Sequence, residues 1–434
     1  MKKFAFCGLL VALVASASAQ VTRTSVPLGK ALDKALDKSL LTGKDARPFH
    51  IRIAVAQPDK PDSAYQATIE EWWASPQQWR REVSAKRGLK QTIVFANGNK
   101  TERDEGEYFP LWLRTFVTAT FDPVPNATAW TALNLQIVQL TMPNGAKSDA
   151  CARIESKIGV GDNTTDAFSN VCFDNEGRLK FVGSPRYSME FNDYRGFGKK
   201  QVARHLADNA DSGARLLGSV VQLDDLSKET VGPDFFSPLP ANDSRFESVA
   251  VGSAQMLTLS ASAPPVSWPP VHSGNVHGQL SMYVSVDRTG QVREVRPLNS
   301  DNAGLGSPTR EQLLGWKLKP AVDKSGAAVQ VDGGLSFTFD TKISDPLPEL
   351  SDTEVRALAK ITEPQWPRSL KAGEIVEVDI SVNQQGKLAG YGMTHVPPAA
   401  QGAVMNAIAA WSFHPLVRNG VPQYFHGVVR FIVP

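Results

Sequence analysis

The residues of this sequence that could do chemistry are three cysteines, seven histidines and many acidic side chains, and their spacing matches no catalytic motif. There is no G-x-S-x-G, H-E-x-x-H or P-loop pattern. His272 and His277 flank a turn, but a metal site there would need ligands that the sequence does not show. The other histidines are scattered, at positions 50, 205, 395, 414 and 426. We therefore expect a non-enzymatic protein with no catalytic residues, no metal site and no cofactor.

Two of the cysteines, Cys151 and Cys172, are predicted to form one disulfide. Cys7 falls in the apolar amino-terminal run, and a lone remaining pair usually becomes bonded in an oxidising compartment. The closed loop of about 20 residues predicts about 3 kcal/mol of stabilisation on a chain-entropy model. A redox pair is the alternative, and the C-x-x-C spacing that would favour it is absent.

The amino terminus has the three parts of a secretory signal peptide. Lys2 and Lys3 precede an apolar run at residues 4–14, and Ala17-Ser18-Ala19 offers small side chains for cleavage before Gln20. The run is shorter than the roughly 20 residues that span a bilayer. We therefore predict cleavage of residues 1–19 and a periplasmic protein without a stable membrane span, with an inner-membrane anchor at residues 4–19 as the alternative.

Charge composition argues against a nucleic-acid partner. Without the two leader lysines, the chain carries 44 basic and 44 acidic side chains. Nucleic-acid binding needs a basic footprint, which this balance does not supply.

The amino-terminal region, residues 20–242, reads as a curved antiparallel sheet with helices. Leucines recur every fourth residue in 28–41, which predicts an amphipathic helix. From residue 49 onward, polar and apolar residues alternate with the period of strands, and turn residues separate the runs. The apolar segment 108–121 is predicted to be a helix lying across the sheet.

Tryptophans in this region raise the question of a cavity. Trp72 and Trp73 are adjacent on a predicted strand and should point to opposite faces. With Trp112 and Phe116 they would line an apolar cavity between sheet and helix. Ordinary core packing is the competing interpretation, and it needs no ligand.

The carboxy-terminal region contains an internal repeat. A Trp-Pro pair, a glycine turn, a W-x-(L/F)-x-P motif and a late phenylalanine occur twice in the same order, beginning at Trp268 and at Trp366. The distance from the Trp-Pro pair to the glycine is 22 residues in one copy and 20 in the other. From glycine to the motif it is 26 and 25 residues. Each copy predicts a β-β-α-β unit, with linkers at 243–262 and 344–359.

Each copy, at about residues 262–342 and 360–434, resembles the carboxy-terminal domain of the TonB family. The resemblance rests on the aromatic-Pro pair, the Asp/Asn…Gly turn, the helix ending in W-x-(L/F)-x-P and the last strand. The amino-terminal region is similar to the LolA-like periplasmic lipoprotein-carrier fold. The similarity rests on three segments: Ser75-Pro76-Gln77-Gln78-Trp79-Arg80-Arg81-Glu82, Phe191-Asn192-Asp193-Tyr194 and Asp234-Phe235-Phe236-Ser237-Pro238. The fold class expected is α+β, with a half-barrel-like domain (20–242) followed by TonB-like modules at 263–343 and 360–434.

These resemblances imply two functions. TonB-like domains capture a partner peptide or outer-membrane transporter as an added strand at a sheet edge, a mode called β-augmentation. We expect the last strands to supply those edges, through Leu335 and Phe337 in one module and through Val428, Val429, Arg430, Phe431 and Ile432 in the other. The chain lacks the long spacer of an energy transducer, so an adaptor for an envelope protein or peptide fits better. The alternative is a carrier of lipid, lipoprotein or another hydrophobic ligand in the amino-terminal domain.

Overall fold

The computed structural model describes residues 22–434, except for 59, 61, 87, 126, 142–146, 211–212, 241–245, 272, 345–346, 368 and 419–420. The predicted signal peptide, with its anchor alternative, and His272 lie outside the described residues. The chain divides into two compact units, Met1–Trp268 with His277–Asp340 and Pro269–Val276 with Thr341–Pro434. No described helix has the length and apolar character needed to cross a bilayer.

The first unit contains a 13-stranded antiparallel sheet whose outer strands do not pair with each other in the described part of the chain. Its elements are β1 (Thr22–Pro27), α1 (Leu28–Ser39), β2 (Phe49–Ala56), β3 (Ala67–Ser75), β4 (Gln78–Ala85), β5 (Leu89–Ala96), β6 (Asn99–Glu105), α2 (Leu111–Phe121), α3 (Ala127–Ala132), β7 (Gln136–Thr141), β8 (Ala150–Val160), β9 (Asn163–Phe173), β10 (Leu179–Gly183), β11 (Ser188–Phe197), β12 (Lys200–Asn209) and β13 (Arg215–Asp224). The strand order is β1-β7-β8-β9-β10-β11-β12-β13-β2-β3-β4-β5-β6. This confirms the predicted large antiparallel sheet, which is open.

Two helices cover one face of this sheet. Leu28 and Leu32 on α1 are buried, as the four-residue leucine period predicts. On α2, Phe116 is fully buried and lies against Gly218, where an added Cβ would come within 2.8 Å of its ring. Gly218 therefore lets the helix approach the sheet closely.

A second, smaller sheet belongs to the same unit. After a 3₁₀ turn at Leu226–Lys228 come β14 (Ser248–Ala250), α4 (Ser253–Leu259), β15 (His277–Val286), β16 (Val292–Ser300), a 3₁₀ turn at Ala303–Leu305, α5 (Gly306–Leu314), β17 (Ala321–Val322) and β18 (Ala328–Asp340). The strand order is β14-β18-β15-β16, with β17 also on β18. The predicted linker at 243–262 is wrong in its described part, because β14 pairs with β18 and α4 packs beside it.

The second unit is built around a four-stranded sheet. Its elements are β19 (Glu349–Leu350), α6 (Asp352–Leu358), β20 (Ala359–Lys360), β21 (Ile375–Val382), β22 (Leu388–His395), α7 (Pro398–Ile408), β23 (Ser412–Phe413), β24 (Leu416–Arg418), β25 (Val421–Gln423) and β26 (Phe425–Ile432). The sheet order is β19-β26-β21-β22. The linker predicted at 344–359 instead contains β19 and α6, whose Val355 is fully buried in this unit's core.

Candidate functional site

An apolar crevice lies in the first unit, between the helices and the large sheet. The loop after α1 forms one side and the last turn of α2 another, and strands β2, β10, β11, β12 and β13 form the floor. The lining is largely aliphatic and aromatic: Leu40, Leu41, Ile51, Ile53, Ala119, Pro123, Leu179, Phe191, Tyr194, Val202, Ala203, Leu206 and Val220, with the hydroxyls of Ser39 and Thr120. Val202 and Leu206, which are four residues apart on β12, point to the same, helix-covered face.

The crevice has about 40 Å³ of cavity volume. This is far below the roughly 300–1,000 Å³ of small-molecule sites, so the walls approach each other closely. A ligand as thick as an alkyl chain would need one wall to move, and the wall formed by Leu40 and Leu41 is a loop rather than a sheet strand.

Polar groups at the crevice are bonded to the protein backbone. The Tyr194 hydroxyl donates to the Leu179 carbonyl at 2.6 Å, and burial raises the pKa of Tyr194 above its ordinary value. Ser39 and Thr120 donate to the carbonyls one helical turn earlier, at 2.7 and 2.8 Å. Because these hydroxyl protons are used internally, the crevice presents an apolar surface to a ligand.

The four aromatic residues predicted to line a cavity do not line this crevice. Trp73 stacks on Phe49 at 5.6 Å in the core, and Trp72 lies on the opposite face of β3 against His50. Trp112 and Phe116 are buried on α2. The core-packing interpretation therefore describes them better, and the space opens beside smaller aliphatic residues.

The predicted partner-binding strands lie inside their sheets in strand order, but among the described strands Leu335 and Phe337 themselves have a pairing partner on one side only. Leu335 and Phe337 lie on β18, which has β15 on one side and β14 and β17 on parts of the other. The hairpin of β8 and β9 also meets this strand, where the Asn163 amide donates to the Ser336 carbonyl at 3.0 Å. Val428, Val429, Arg430, Phe431 and Ile432 lie on β26, between β19 and β21. The outer strands on the other side of the two sheets are β16 and β22.

Helix α6 covers the part of β26 that β19 leaves unpaired. Asp352 accepts the Arg430 amide at 2.8 Å, and Arg356 donates to the Arg430 carbonyl at 2.7 Å. Side chains thus replace a neighbouring strand at this point. Capping of this kind keeps an apolar strand from pairing with other chains, so the prediction of β26 as a free edge is wrong.

A buried polar network, which the sequence did not indicate, joins the large sheet's helix to the smaller sheet of the same unit. The Arg114 guanidinium on α2 contacts Asp332 at 2.9 Å and Ser285 at 2.7 Å. The Glu294 carboxylate accepts the amides of Leu111 and Trp112 at 2.5 and 3.3 Å. It therefore caps α2, whose own N-cap residue is a proline without a side-chain acceptor.

Cys151 and Cys172 face each other across β8 and β9 and are joined by a disulfide. Within the described residues, no group of three or more His, Cys, Asp or Glu side chains is placed to hold a metal ion.

No family model matches this sequence and no curated protein does, so the TonB resemblance remains a prediction. Among solved structures, a putative outer-membrane lipoprotein-sorting protein domain from Vibrio parahaemolyticus aligns with 48% of this chain and 95% of its own, at 9% identity and a TM-score of 0.25. A LolA superfamily protein from Nitrosomonas europaea aligns with 49% of this chain and 98% of its own, at 9% identity and a TM-score of 0.23. Scores this low do not establish a shared fold.

Proposed function

We propose that this protein is a periplasmic carrier that holds a hydrophobic ligand in the crevice beneath α1 and α2. The observation that carries the proposal is the crevice itself, an apolar space whose hydroxyl groups are bonded internally. Burying a ligand there removes apolar surface from water, at about 25 cal/mol per Å². A ligand with an alkyl or isoprenoid chain matches this lining, whereas a sugar or nucleotide would lose hydrogen bonds with water and gain few.

An apolar crevice of this kind is better suited to carrying a ligand than to catalysing a reaction. Catalysis needs a nucleophile, or an acid and base, within hydrogen-bond reach of the bound molecule. The groups that surround this crevice are aliphatic, aromatic or hydroxyl. Release of a carried ligand needs only that a wall opens, and the loop containing Leu40 and Leu41 is the wall that can do so without breaking sheet pairing.

The experiment is a titration of the full chain with 11-(dansylamino)undecanoic acid, followed by fluorescence. We expect saturable binding with a blue shift of the dansyl emission. Ala203→Phe fills the crevice from β12 and should weaken binding about tenfold or more, a loss of about 1.4 kcal/mol. Ala254→Phe, at an exposed position on α4, is the matched control and should bind as wild type does.

Thermal unfolding of both variants separates loss of binding from loss of fold. The proposal fails if the wild-type chain shows no saturable binding. It also fails if a folded Ala203→Phe variant binds the probe as tightly as wild type does.

The adaptor function is a second candidate, and β22 is the observation that favours it. This strand forms one end of its sheet, so its outer backbone groups have no strand partner among the described residues. We propose β22 in place of β26 as the strand to which a partner peptide would add. Proline substitution of Ala389 in β22 should then abolish capture of an added strand while the crevice still binds the probe.

A further inference from the structure

The two smaller sheets have the same architecture. In each, a short strand runs parallel to the last strand, a short helix follows, and the order is then β-β-α-β. A glycine of the last strand lies against that short helix in both. An added Cβ on Gly333 would meet Met256 on α4 at 3.0 Å, and one on Gly427 would meet Val355 on α6 at 2.4 Å.

The glycine turns fix the residue-by-residue correspondence. Gly290 and Gly386 have φ of 88° and 73°, and an added Cβ would strike the carbonyl of Leu318 or Phe413, the central residue of each W-x-(L/F)-x-P motif. Counting back the same number of residues from each glycine shows that Ser285 in the first sheet corresponds to Ser381 in the second. The strand registers then match Glu294 with Gly390 and Arg296 with Gly392.

In the smaller sheet of the first unit, the face opposite helix α5 is covered by other residues of the same unit. Ser285 and Asp332 on that face are fully buried and bind Arg114 on α2. Glu294 holds the Tyr108 hydroxyl at 2.8 Å, and Arg296 contacts Asp208 at 3.1 Å. The occupant of this face therefore presents a cation, an aromatic residue and a carboxylate, and the face contacts them through two carboxylates, a serine and Arg296.

The corresponding face of the second unit's sheet is accessible. Ile375 and Ile432, paired across β21 and β26, are 54% and 67% exposed. The Glu377 carboxylate binds Arg430 at 2.8 Å, and Asp379 lies next along the same face. The carboxylates of Glu377 and Asp379 on this face outnumber its one guanidinium, that of Arg430.

Two of the side chains that contact the occupant of the first face, those of Glu294 and Arg296, are replaced by Gly390 and Gly392 in the second. Gly390 would have nothing within 4 Å of an added Cβ, and Gly392 would be 3.4 Å from Asp379. Neither glycine has positive φ, so the turn or strand geometry does not require them. Because these two glycines have no side chains, a shallow trough remains along β22, with the Asp379 carboxylate beside it.

We propose that this face of the second unit is a docking surface for a polypeptide segment of a protein partner that carries an arginine or lysine beside apolar residues. The cationic side chain lies in the trough of Gly390 and Gly392 with its charge on Asp379. The adjacent apolar residues cover Ile375 and Ile432.

The test begins with a phage-displayed library of random 12-residue peptides selected on the full chain. We expect the enriched peptides to carry Arg or Lys flanked by aliphatic or aromatic residues. A labelled enriched peptide is then titrated by fluorescence anisotropy. Asp379→Asn and Gly390→Val should each weaken binding about tenfold or more, and Gly196→Val, a strand glycine in the first unit, should leave it unchanged. The valine variants introduce β-branched residues into strands without positive φ, so folding is retained.

Three outcomes would overturn the proposal. The selection could enrich no basic and apolar sequence, or the enriched peptides could bind Asp379→Asn and Gly390→Val with the wild-type Kd. Sedimentation could also show a wild-type dimer that Asp379→Asn dissociates, in which case a second copy of this chain occupies the face. None of these results bears on the crevice, because dansyl probe binding is measured separately.

Discussion

Arg114 on α2 and Asp332 on β18 form an ion pair at 2.9 Å with less than a tenth of either side chain exposed. The two residues are 218 positions apart in sequence. Burial by itself disfavours the charged guanidinium, but Asp332, Tyr108 and Glu294 raise the Arg114 pKa, so the guanidinium stays charged. The pair fixes the smaller sheet of the first unit to the helix that covers the large one.

Breaking this pair should destabilise the first unit strongly. Arg114→Met leaves the Asp332 carboxylate buried without its main counter-charge, which costs about 3–5 kcal/mol in comparable cases. Arg186 also contacts Asp332, at 3.1 Å, and should reduce that cost. Urea unfolding measures the effect. The double variant Arg114→Met, Asp332→Leu should lose less than the sum of the single variants, and strict additivity would contradict the coupling.

Glu294→Gln should weaken the start of α2. The carboxylate accepts two helix amides, and its negative charge faces the positive end of the helix dipole. An amide oxygen is a neutral and weaker acceptor, so we expect a loss of about 1–2 kcal/mol of unfolding free energy. Hydrogen exchange of the Leu111 and Trp112 amides should quicken, and unchanged exchange would show that Pro110 starts the helix unaided.

The stability of the first unit should fall as pH rises from 5 to 8. Burial, followed by the charge of Glu102, raises the pKa of Asp104 to about 7. The folded state therefore binds a proton that the unfolded state, with a pKa of about 4, has already released in this range. The stabilisation that Asp104 provides by binding this proton is complete below about pH 4 and is lost as pH rises through about 7. Burial raises the pKa of Glu71 and Asp208 as well, so their titration also lowers the unfolding free energy as pH rises.

Asp104→Asn isolates this contribution. The asparagine has no proton to lose, so unfolding free energies at pH 5 and pH 8 should lie closer together than in wild type. An identical pH slope in the two proteins would show that other groups set it.

Reduction of the disulfide should lower stability without unfolding the sheet. Cys151 and Cys172 are adjacent on paired strands, and the bond closes a loop across 21 positions. We expect a loss of about 3 kcal/mol when dithiothreitol is added, measured by urea unfolding. The variant Cys151→Ser, Cys172→Ser should start at the lower stability and show no response to the reductant.

Removing the side chains that cover β26 should make the second unit self-associate. Asp352→Ala with Arg356→Ala frees the amide and carbonyl of Arg430. Unpaired backbone groups on an apolar strand recruit other chains. Size-exclusion chromatography should show concentration-dependent oligomers, whereas Lys360→Ala, an exposed change in the same unit, should elute as wild type does.

Local sequence patterns predicted much of the secondary structure. The leucine period of residues 28–41 gave α1, and the alternation from residue 49 gave the strands, because each period directly reports which face is buried. The spacing of Gly290 and Gly386 to their W-x-(L/F)-x-P motifs also corresponds to a real contact, since each turn packs on the motif backbone. These features depend on neighbours in sequence or on short-range packing.

The positions and partners of the candidate site residues were decided by the tertiary structure alone. Whether β26 is an edge depends on Asp352 and Arg356, which reach it from a segment predicted as linker. Whether an aromatic residue lines a cavity depends on how completely its neighbours fill the space, so Trp73 became core while the opening formed beside Ala203. The residues of the Arg114–Asp332 pair have no local pattern at all. Periodicity determines which way a side chain points, but its partner is set by long-range packing, which a single sequence does not encode in any local signal.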